Sequence, residues 1–238
     1  MLVDARRGGS RIKRLPPACR PHSIELAYAI QREAGKSLGR IGGWKVGRSS
    51  GLINPVYAPL FASDIFKSHA RLPASRFAAA RMEMELAFCL RNDLPPRKEP
   101  YSYEEISSVL DLLPLVEILL SRYEDAAQLP LPESLADCLS NGAVVLGEPL
   151  SNWGDLELRS CALELQVDGA QIYANDKVEL TGDPVELVHW QANHLAQTGT
   201  GLKQGDVVTT GALFAPCAAG RSNIARWRGI GEISFRIE

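Results

Sequence analysis

The sequence predicts an α+β protein in which a large mixed or antiparallel sheet curls into a roll or barrel. From residue 44 onwards, short apolar runs follow one another, separated by Gly, Pro and Asn, which is typical of strands. Helical patterns interrupt these runs at only a few places, so strands and helices do not alternate strictly. The chain is therefore divided into an N-terminal helical region (1–40) and one β-roll unit (41–238).

Capping residues and apolar spacing predict four helices. Ser23 is a suitable N-cap, and an apolar stripe follows it. Ser102 and Glu105 have the spacing of a capping box. Asp183 precedes Pro184 in the arrangement of a cap followed by the first helical residue. The predicted helices cover, in order, 23–35, a segment starting near 102, 133–139 and 183–197.

Apolar runs bounded by turn-forming residues predict eight strands. Asp168-Gly169 is typical of a two-residue hairpin turn, so the strands on either side of it are expected to pair. The predicted strands are Trp44–Val46, Met82–Leu90, Leu115–Leu119, Ala143–Leu146, Cys161–Val167, Gln171–Ala174, Val207–Thr210 and Ile233–Ile237.

Composition excludes several classes of protein. The net charge is -2, so no general basic field attracts nucleic acid. No apolar run reaches the roughly 18–20 residues that a membrane helix needs, and the polar, Arg-rich first residues do not form a secretory signal. The five cysteines are odd in number and form no CxxC motif, which favours reduced thiols in a cytoplasmic protein.

The segment RMEMELAFCL at 81–90 carries two carboxylates on one face of a predicted strand. Alternation places Met82 and Met84 on an apolar face and Glu83 and Glu85 together on the other. Neighbouring carboxylates repel each other unless a positive charge lies between them. This pattern fits a solvated strand face, and it also fits a Mg²⁺ or Mn²⁺ site built from carboxylate oxygens.

Glu117 is the only charged residue within the apolar run 112–120. A buried carboxylate is costly unless it is paired or bound to a metal. Arg122 is one candidate partner. The alternative is that Glu117 supplies a third oxygen ligand to a metal held by Glu83 and Glu85.

Lys45 lies between Trp44 and Val46, in a short apolar run with a glycine on each side. A lysine in this setting more often points into a pocket than into solvent, where it would hold an anionic substrate or assist a proton transfer. Thr210 and Gly211, at the end of a predicted strand, would offer a hydroxyl and a backbone N–H to a small carboxylate.

In their order along the chain, these segments resemble the 2-keto-4-pentenoate hydratase family of the fumarylacetoacetate hydrolase superfamily. The resemblance runs from about residue 25 to the C-terminus. It is carried by GWKVG at 43–47, the ExE of RMEMELAF, LPLVEILLSR, the stretch 137–142, VVTTGAL at 207–213 and the closing GIGEISFRI.

The resemblance implies a mixed β-roll and a Mg²⁺ or Mn²⁺ ion held by Glu83, Glu85 and Glu117. It further implies that the ion chelates the 1-carboxylate and 2-oxygen of a 2-hydroxy-2,4-dienoate or 2-oxo acid. The implied reaction adds water to give a 4-hydroxy-2-oxo acid, in the catabolism of aromatic compounds. A homo-oligomer is also implied, and association with a partner enzyme of the pathway is a further expectation.

The resemblance also assigns roles to single residues. Lys45 matches the active-site lysine, and Thr210 with Gly211 matches the segment that binds the substrate carboxylate. Asp137 and Ser140 match polar residues on the opposite wall.

The chain departs from the family pattern at two places. The acid that often follows the LFA stretch is replaced by Ser63, with Asp64 one place later, and the Asp-Asn pair reads Asp137-Cys138. The general base for water is therefore expected to be Asp137, or Asp64 if it faces inward.

Three functions other than a hydratase are also compatible with the sequence. A 4-oxalocrotonate-type decarboxylase would form the same enolate without placing a water molecule. An acylpyruvate or fumarylacetoacetate-type C–C hydrolase would need a His-Glu pair, whereas His69 has only Asp64 nearby, five residues away. A non-catalytic binding protein of the same fold is disfavoured because the three glutamates are retained.

Overall fold

Eight strands form the larger of two sheets in the computed structural model, which describes residues 1–49 and 51–238. The strands, in chain order, are β1 (Ile41–Gly47), β2 (Val56–Phe61), β3 (Ile65–Lys67), β4 (Ala70–Leu72), β5 (Arg81–Leu90), β6 (Leu110–Leu119), β7 (Asn141–Leu146), β8 (Ser160–Val167), β9 (Ala170–Glu179), β10 (Val207–Ala212), β11 (Cys217–Ala218), β12 (Ser222–Trp227) and β13 (Gly231–Ile237). The helices are α1 (Leu2–Arg6), α2 (Ile24–Leu38), α3 (Ala74–Phe77), α4 (Tyr103–Ser107), α5 (Leu131–Ala136) and α6 (Pro184–Gln197).

The larger sheet is mixed and curls into a half-barrel. Its order is β2-β1-β10-β5-β6-β7-β3, with β11 paired to β5. β1 runs parallel to β10, and β3 runs parallel to β7, while the other neighbours are antiparallel. The second sheet has the order β4-β13-β12-β8-β9. The α+β roll predicted from the sequence is confirmed.

The two faces of the larger sheet have different surroundings. Met82, Met84 and Phe88 on β5 belong to the main core, which includes residues of the second sheet and of α6. The opposite face of β5 carries Ala87, which packs in a small cluster with residues of β2, β6, β7 and β10. Because these strands face one another across that cluster, it marks the inside of the curl.

All eight predicted strands are present, and five further strands were not predicted. β2 contains Pro59, which cannot donate to a ladder, and β2 is accordingly an edge strand. β6 begins earlier than predicted, at Leu110, and includes Pro114. β7 does not extend alongside this part of β6, and the Pro114 carbonyl accepts from the Gly147 N–H just after β7 ends. β3, β4 and β11 are too short for alternation to be recognised.

The predicted turns and caps are mostly present. Asp168 and Gly169 both have positive φ (50° and 81°), as a type I′ hairpin turn between β8 and β9 requires. Ser102 and Glu105 form the capping box of α4. The helix predicted over 133–139 is instead α5, which ends at Ala136 before a 3₁₀ turn. The proposed boundary between residues 40 and 41 stays a prediction.

Gly43 is expected to be essential for the pairing of β1 with β10. A Cβ atom at this position would lie 2.3 Å from the Val207 carbonyl oxygen, and backbone cannot move away cheaply. Gly43→Ala is therefore expected to lower the free energy of unfolding by about 3 kcal/mol, the upper part of the range for overpacking. The matched control is Gly47→Ala on the same strand, where nothing lies within 4 Å. Equal denaturation midpoints in urea for the two variants would contradict this account.

Candidate active site and metal centre

Three glutamates meet on the inner face of the curled sheet. Glu83 and Glu85 are two residues apart on β5, so both side chains point to the same face. Glu117 on β6 lies directly opposite Glu83 in the antiparallel register. One carboxylate oxygen from each of the three lies within 4.8 Å of the others. Three oxygens at this spacing form a ligand set of the kind that hard divalent cations prefer.

Lys45 reaches this cluster from β1. Its Nζ donates to both carboxylate oxygens of Glu117, at 2.8 Å each, and to the Leu139 carbonyl oxygen at 3.3 Å. The partner of Glu117 is therefore Lys45, and the alternative pairing with Arg122 is wrong. Arg122 instead forms an ion pair with Asp137.

The cluster holds more negative charge than Lys45 neutralises. Glu117 is fully buried, and Glu85 is 1% exposed. Burial, followed by the charge of Glu117, raises the pKa of Glu83 to about 7 and also raises the pKa of Glu85. Burial disfavours the Lys45 ammonium, but Glu117, Glu85 and Glu83 outweigh it, so the pKa of Lys45 is raised. Three acidic groups with one ammonium are thus well suited to a divalent cation, which would relieve their repulsion.

The end of β10 contributes backbone and side-chain groups next to the carboxylates. The Gly211 N–H donates to Glu85 Oε2 at 3.0 Å. The Thr210 hydroxyl donates to the Leu86 carbonyl oxygen at 2.8 Å, and the predicted substrate-binding role of Thr210 and Gly211 stays a prediction. Thr209, which lies beside Lys45 in the parallel register, is fully buried, and its hydroxyl offsets part of the rise in the pKa of Glu85. Thr209 lies on the same face of the sheet as Lys45 and Ala87, which the sequence of the doublet Thr209-Thr210 does not decide.

Ser140 ends a strained backbone segment beside Lys45. Cys138, Leu139 and Ser140 have φ values of 51°, 52° and 62°, all in the left-handed region that non-glycine residues rarely adopt. This conformation turns the Leu139 carbonyl toward Lys45. The substrate-binding role of Ser140 stays a prediction.

Asp137 and Asp64 are not among the carboxylates at Lys45. Asp137 Oδ1 accepts from the Arg122 guanidinium, and its Oδ2 accepts from the Ser121 hydroxyl at 2.9 Å. Asp64 is also buried, and it is bound by Arg6 and Arg76 at 2.8 Å each. Both aspartates are therefore held in ion pairs with arginine. The prediction that one of them is the general base stays a prediction.

Similar proteins were found at the level of sequence and of structure. A 2-keto-4-pentenoate hydratase of Burkholderia vietnamiensis (strain G4) is 30% identical over 223 residues, covering 89% of this chain and 84% of that protein. A 2-keto-4-pentenoate hydratase of Paraburkholderia phymatum is 29% identical and covers 98% of this chain and 93% of its own length. No model of a known protein family matches the chain.

The chain belongs to the 2-keto-4-pentenoate hydratase family. The resemblance found in the sequence is thereby confirmed. A solved structure of 4-oxalocrotonate decarboxylase from Pseudomonas putida G7, complexed with magnesium and adipate, has a TM-score of 0.83 at 21% identity. It covers all of this chain and 94% of its own, so the two proteins share their fold.

A pocket of about 450 Å³ opens at the ends of β1 and β10 in this member of the hydratase family. Gly211, whose N–H donates to Glu85, lines it together with Thr210 and Arg48. A larger cavity of about 850 Å³ lies between α2 and α6 and contains none of the predicted site residues among its described lining. The smaller pocket is therefore the better candidate for substrate entry. None of the described helices is long and apolar enough to cross a membrane.

The glutamate cluster is expected to make the free energy of unfolding of this hydratase-family protein depend on pH. Glu83 has a usual pKa of 4.5 that is raised to about 7 in the fold, so between these values the metal-free folded state binds more protons than the unfolded state. The free energy of unfolding contributed by Glu83 is therefore present at low pH and lost as the pH rises through that window. We expect wild type to lose stability relative to Glu83→Gln between about pH 4.5 and 7. Urea denaturation of both proteins in EDTA measures this, and a difference that does not change with pH would contradict it.

Proposed function

We propose that this protein is a divalent-metal-dependent hydratase that adds water to a 2-hydroxy-2,4-dienoate of the 2-keto-4-pentenoate type, giving a 4-hydroxy-2-oxo acid. The observation that carries the proposal is the buried cluster of Glu83, Glu85 and Glu117 with Lys45, in a chain of this family. Relatives over nearly the full length bear the name of this hydratase.

The three glutamates would hold the cation in the proposed site. A Mg²⁺ or Mn²⁺ ion bound there would supply positive charge to the substrate's 1-carboxylate and 2-oxygen. Magnesium in the similarly folded decarboxylase supports a divalent ion of this kind. Carboxylate oxygens suit both Mg²⁺ and Mn²⁺, so we propose one of these two ions at the site.

Lys45 has the clearest role among the chain's own groups. Its raised pKa keeps the side chain an ammonium ion. It would stabilise the negative charge that the substrate's 2-oxygen carries after the enol loses its proton and before C5 gains one, and the charge that returns to this oxygen when water adds at C4. The Gly211 N–H and the buried Thr209 hydroxyl would hold Glu85 in place. Together these groups would orient a planar, anionic substrate before water adds at C4.

A second candidate is decarboxylation of a 2-oxo-3-hexenedioate at the same site. The observation that favours it is that Asp64 and Asp137 are both occupied by arginine donors. Loss of CO₂ yields the enolate without a base that activates water, so such a site needs neither aspartate. The hydrolase alternative receives less support, because His69 is exposed and contacts the Ser234 hydroxyl at 2.7 Å.

Parallel assays distinguish these reactions. The purified protein is given 2-hydroxypenta-2,4-dienoate and 2-oxo-3-hexenedioate, each with Mg²⁺ and with EDTA, and is followed by ultraviolet absorbance and mass spectrometry. EDTA-sensitive gain of one water by the dienoate is the result expected. Release of CO₂ from the dioate would establish the decarboxylase instead, and no turnover of either compound would contradict both proposals.

The proposal extends to assembly and location. We propose a homo-oligomer, consistent with exposed apolar side chains such as Ile53 and Leu26. We also propose a cytoplasmic location, where the five free cysteines would remain reduced.

A further inference from the structure

The N-terminal helix is connected to the glutamate cluster by a chain of buried hydrogen bonds. Arg6, at the end of α1, lies against Asn141 at the start of β7, and the two side chains are 7% and 1% exposed. The Arg6 guanidinium donates to the Asn141 side-chain oxygen at 3.3 Å and to its backbone oxygen at 2.8 Å. The Asn141 amide nitrogen donates to Glu117 Oε1 at 2.9 Å.

Arg6 determines which way the Asn141 amide points. A guanidinium has only donors, so the amide oxygen must face Arg6 and the amide nitrogen must face Glu117. A flipped amide would place donors against donors at Arg6 and an oxygen against a carboxylate at Glu117. Asp64 holds Arg6 in turn, at 2.8 Å.

The two oxygens of Glu117 accept different numbers of hydrogen bonds. Oε1 accepts from both Lys45 and Asn141, whereas Oε2 accepts from Lys45 alone among the described hydrogen bonds. Because each carboxylate oxygen has two lone-pair positions, Oε2 retains one for a further ligand. With Asn141 and Lys45 on Oε1, Oε2 is the oxygen of Glu117 that keeps a lone pair for a cation.

We propose that Asn141 is a positioning residue for the metal-binding carboxylate of Glu117, and that Arg6 acts through it. The proposal rests on the metal site of the proposed function. Groups that orient metal ligands typically change metal affinity by about 10–100-fold when they are removed. Neither Asn141 nor Arg6 is placed to touch a substrate or a reacting atom, so replacing either residue is expected to change cation binding.

A double-mutant cycle on Mn²⁺ affinity tests the proposal. Mn²⁺ dissociation constants are measured by electron paramagnetic resonance, without substrate, for wild type, Arg6→Met, Asn141→Ala and the double variant. Each single variant is expected to weaken Mn²⁺ binding by at least about tenfold. Because Arg6 acts through Asn141, the double variant is expected to bind Mn²⁺ as weakly as Asn141→Ala and no more weakly.

Matched controls separate positioning from general destabilisation. Arg7→Met removes a neighbouring, exposed arginine of the same segment and is expected to leave Mn²⁺ affinity unchanged. If Arg6→Met unfolds the protein, Asn141→Ala alone still tests the claim, since it keeps the backbone groups that Arg6 and Arg122 contact. Unchanged Mn²⁺ affinity in folded Asn141→Ala, or multiplicative losses in the double variant, would overturn the inference. Wild type that binds Mn²⁺ without hydrating a dienoate would refute the proposed function and leave this cycle interpretable.

Discussion

Glu83→Gln is expected to lose metal-dependent activity while remaining folded. Glutamine keeps the size of the side chain but removes one of three anionic ligands, so we expect Mg²⁺ affinity and turnover to fall by about a hundredfold or more, beyond the effect of removing a group that only orients a ligand. Activity with increasing Mg²⁺ and the Mn²⁺ resonance spectrum measure the two quantities.

The thermal stability of Glu83→Gln is a second, independent test of the metal-site assignment. Glu83 and Glu117 face each other across the β5–β6 ladder, and like charges in this arrangement destabilise the metal-free fold. The metal-free variant is therefore expected to melt at or above the wild-type temperature. Glu33→Gln, on the exposed face of α2, is the control and is expected to change neither property. Full activity of Glu83→Gln with added Mg²⁺ would show that the metal site is assigned wrongly.

Lys45→Met is expected to reduce kcat by about 10²–10⁴-fold, the range for a group that assists charge or proton movement. The same change leaves buried Glu117 without its cationic partner, which typically costs about 3–5 kcal/mol. Added metal should recover part of this loss, because ligands that bind only the folded state stabilise it. Steady-state kinetics and thermal denaturation, each with and without Mg²⁺, measure both effects.

Lys45→Arg is the matched control for the charge at this position. It keeps a cation near Glu117 and is expected to restore most of the stability, but the wider guanidinium is not expected to restore full kcat. A Lys45→Met enzyme with kcat close to wild type would remove Lys45 from the proposed mechanism.

Local periodicity predicted the centre of the site. Alternation along β5 placed Glu83 and Glu85 on one face, and the apolar run around Glu117 marked that carboxylate as unusual. Lys45 was recognised because glycines flank it in an apolar run. Each of these signals is contained in one short segment, so a single sequence is enough to recognise it.

The supporting contacts could not be predicted in this way. Arg6 and Asn141 are 135 positions apart, and neither belongs to a pattern that links them. The pairing of Arg122 with Asp137 is similar: Asp137 directly follows α5, which ends three residues earlier than the predicted helix, and no local pattern links it to β6. Which residues share a hydrogen bond depends on the closure of the sheet, and that closure is not encoded in any short segment.

The parallel pairing of β1 with β10 affects how the protein folds during synthesis. Gly43 and Val207 become neighbours only after most of the chain has left the ribosome, and contacts between such distant residues are slow to form. During synthesis, β1 therefore lacks its neighbour β10, and its unpaired edge can pair with other chains. Low growth temperature or chaperone co-expression is expected to raise the yield of active protein more than a stronger promoter would.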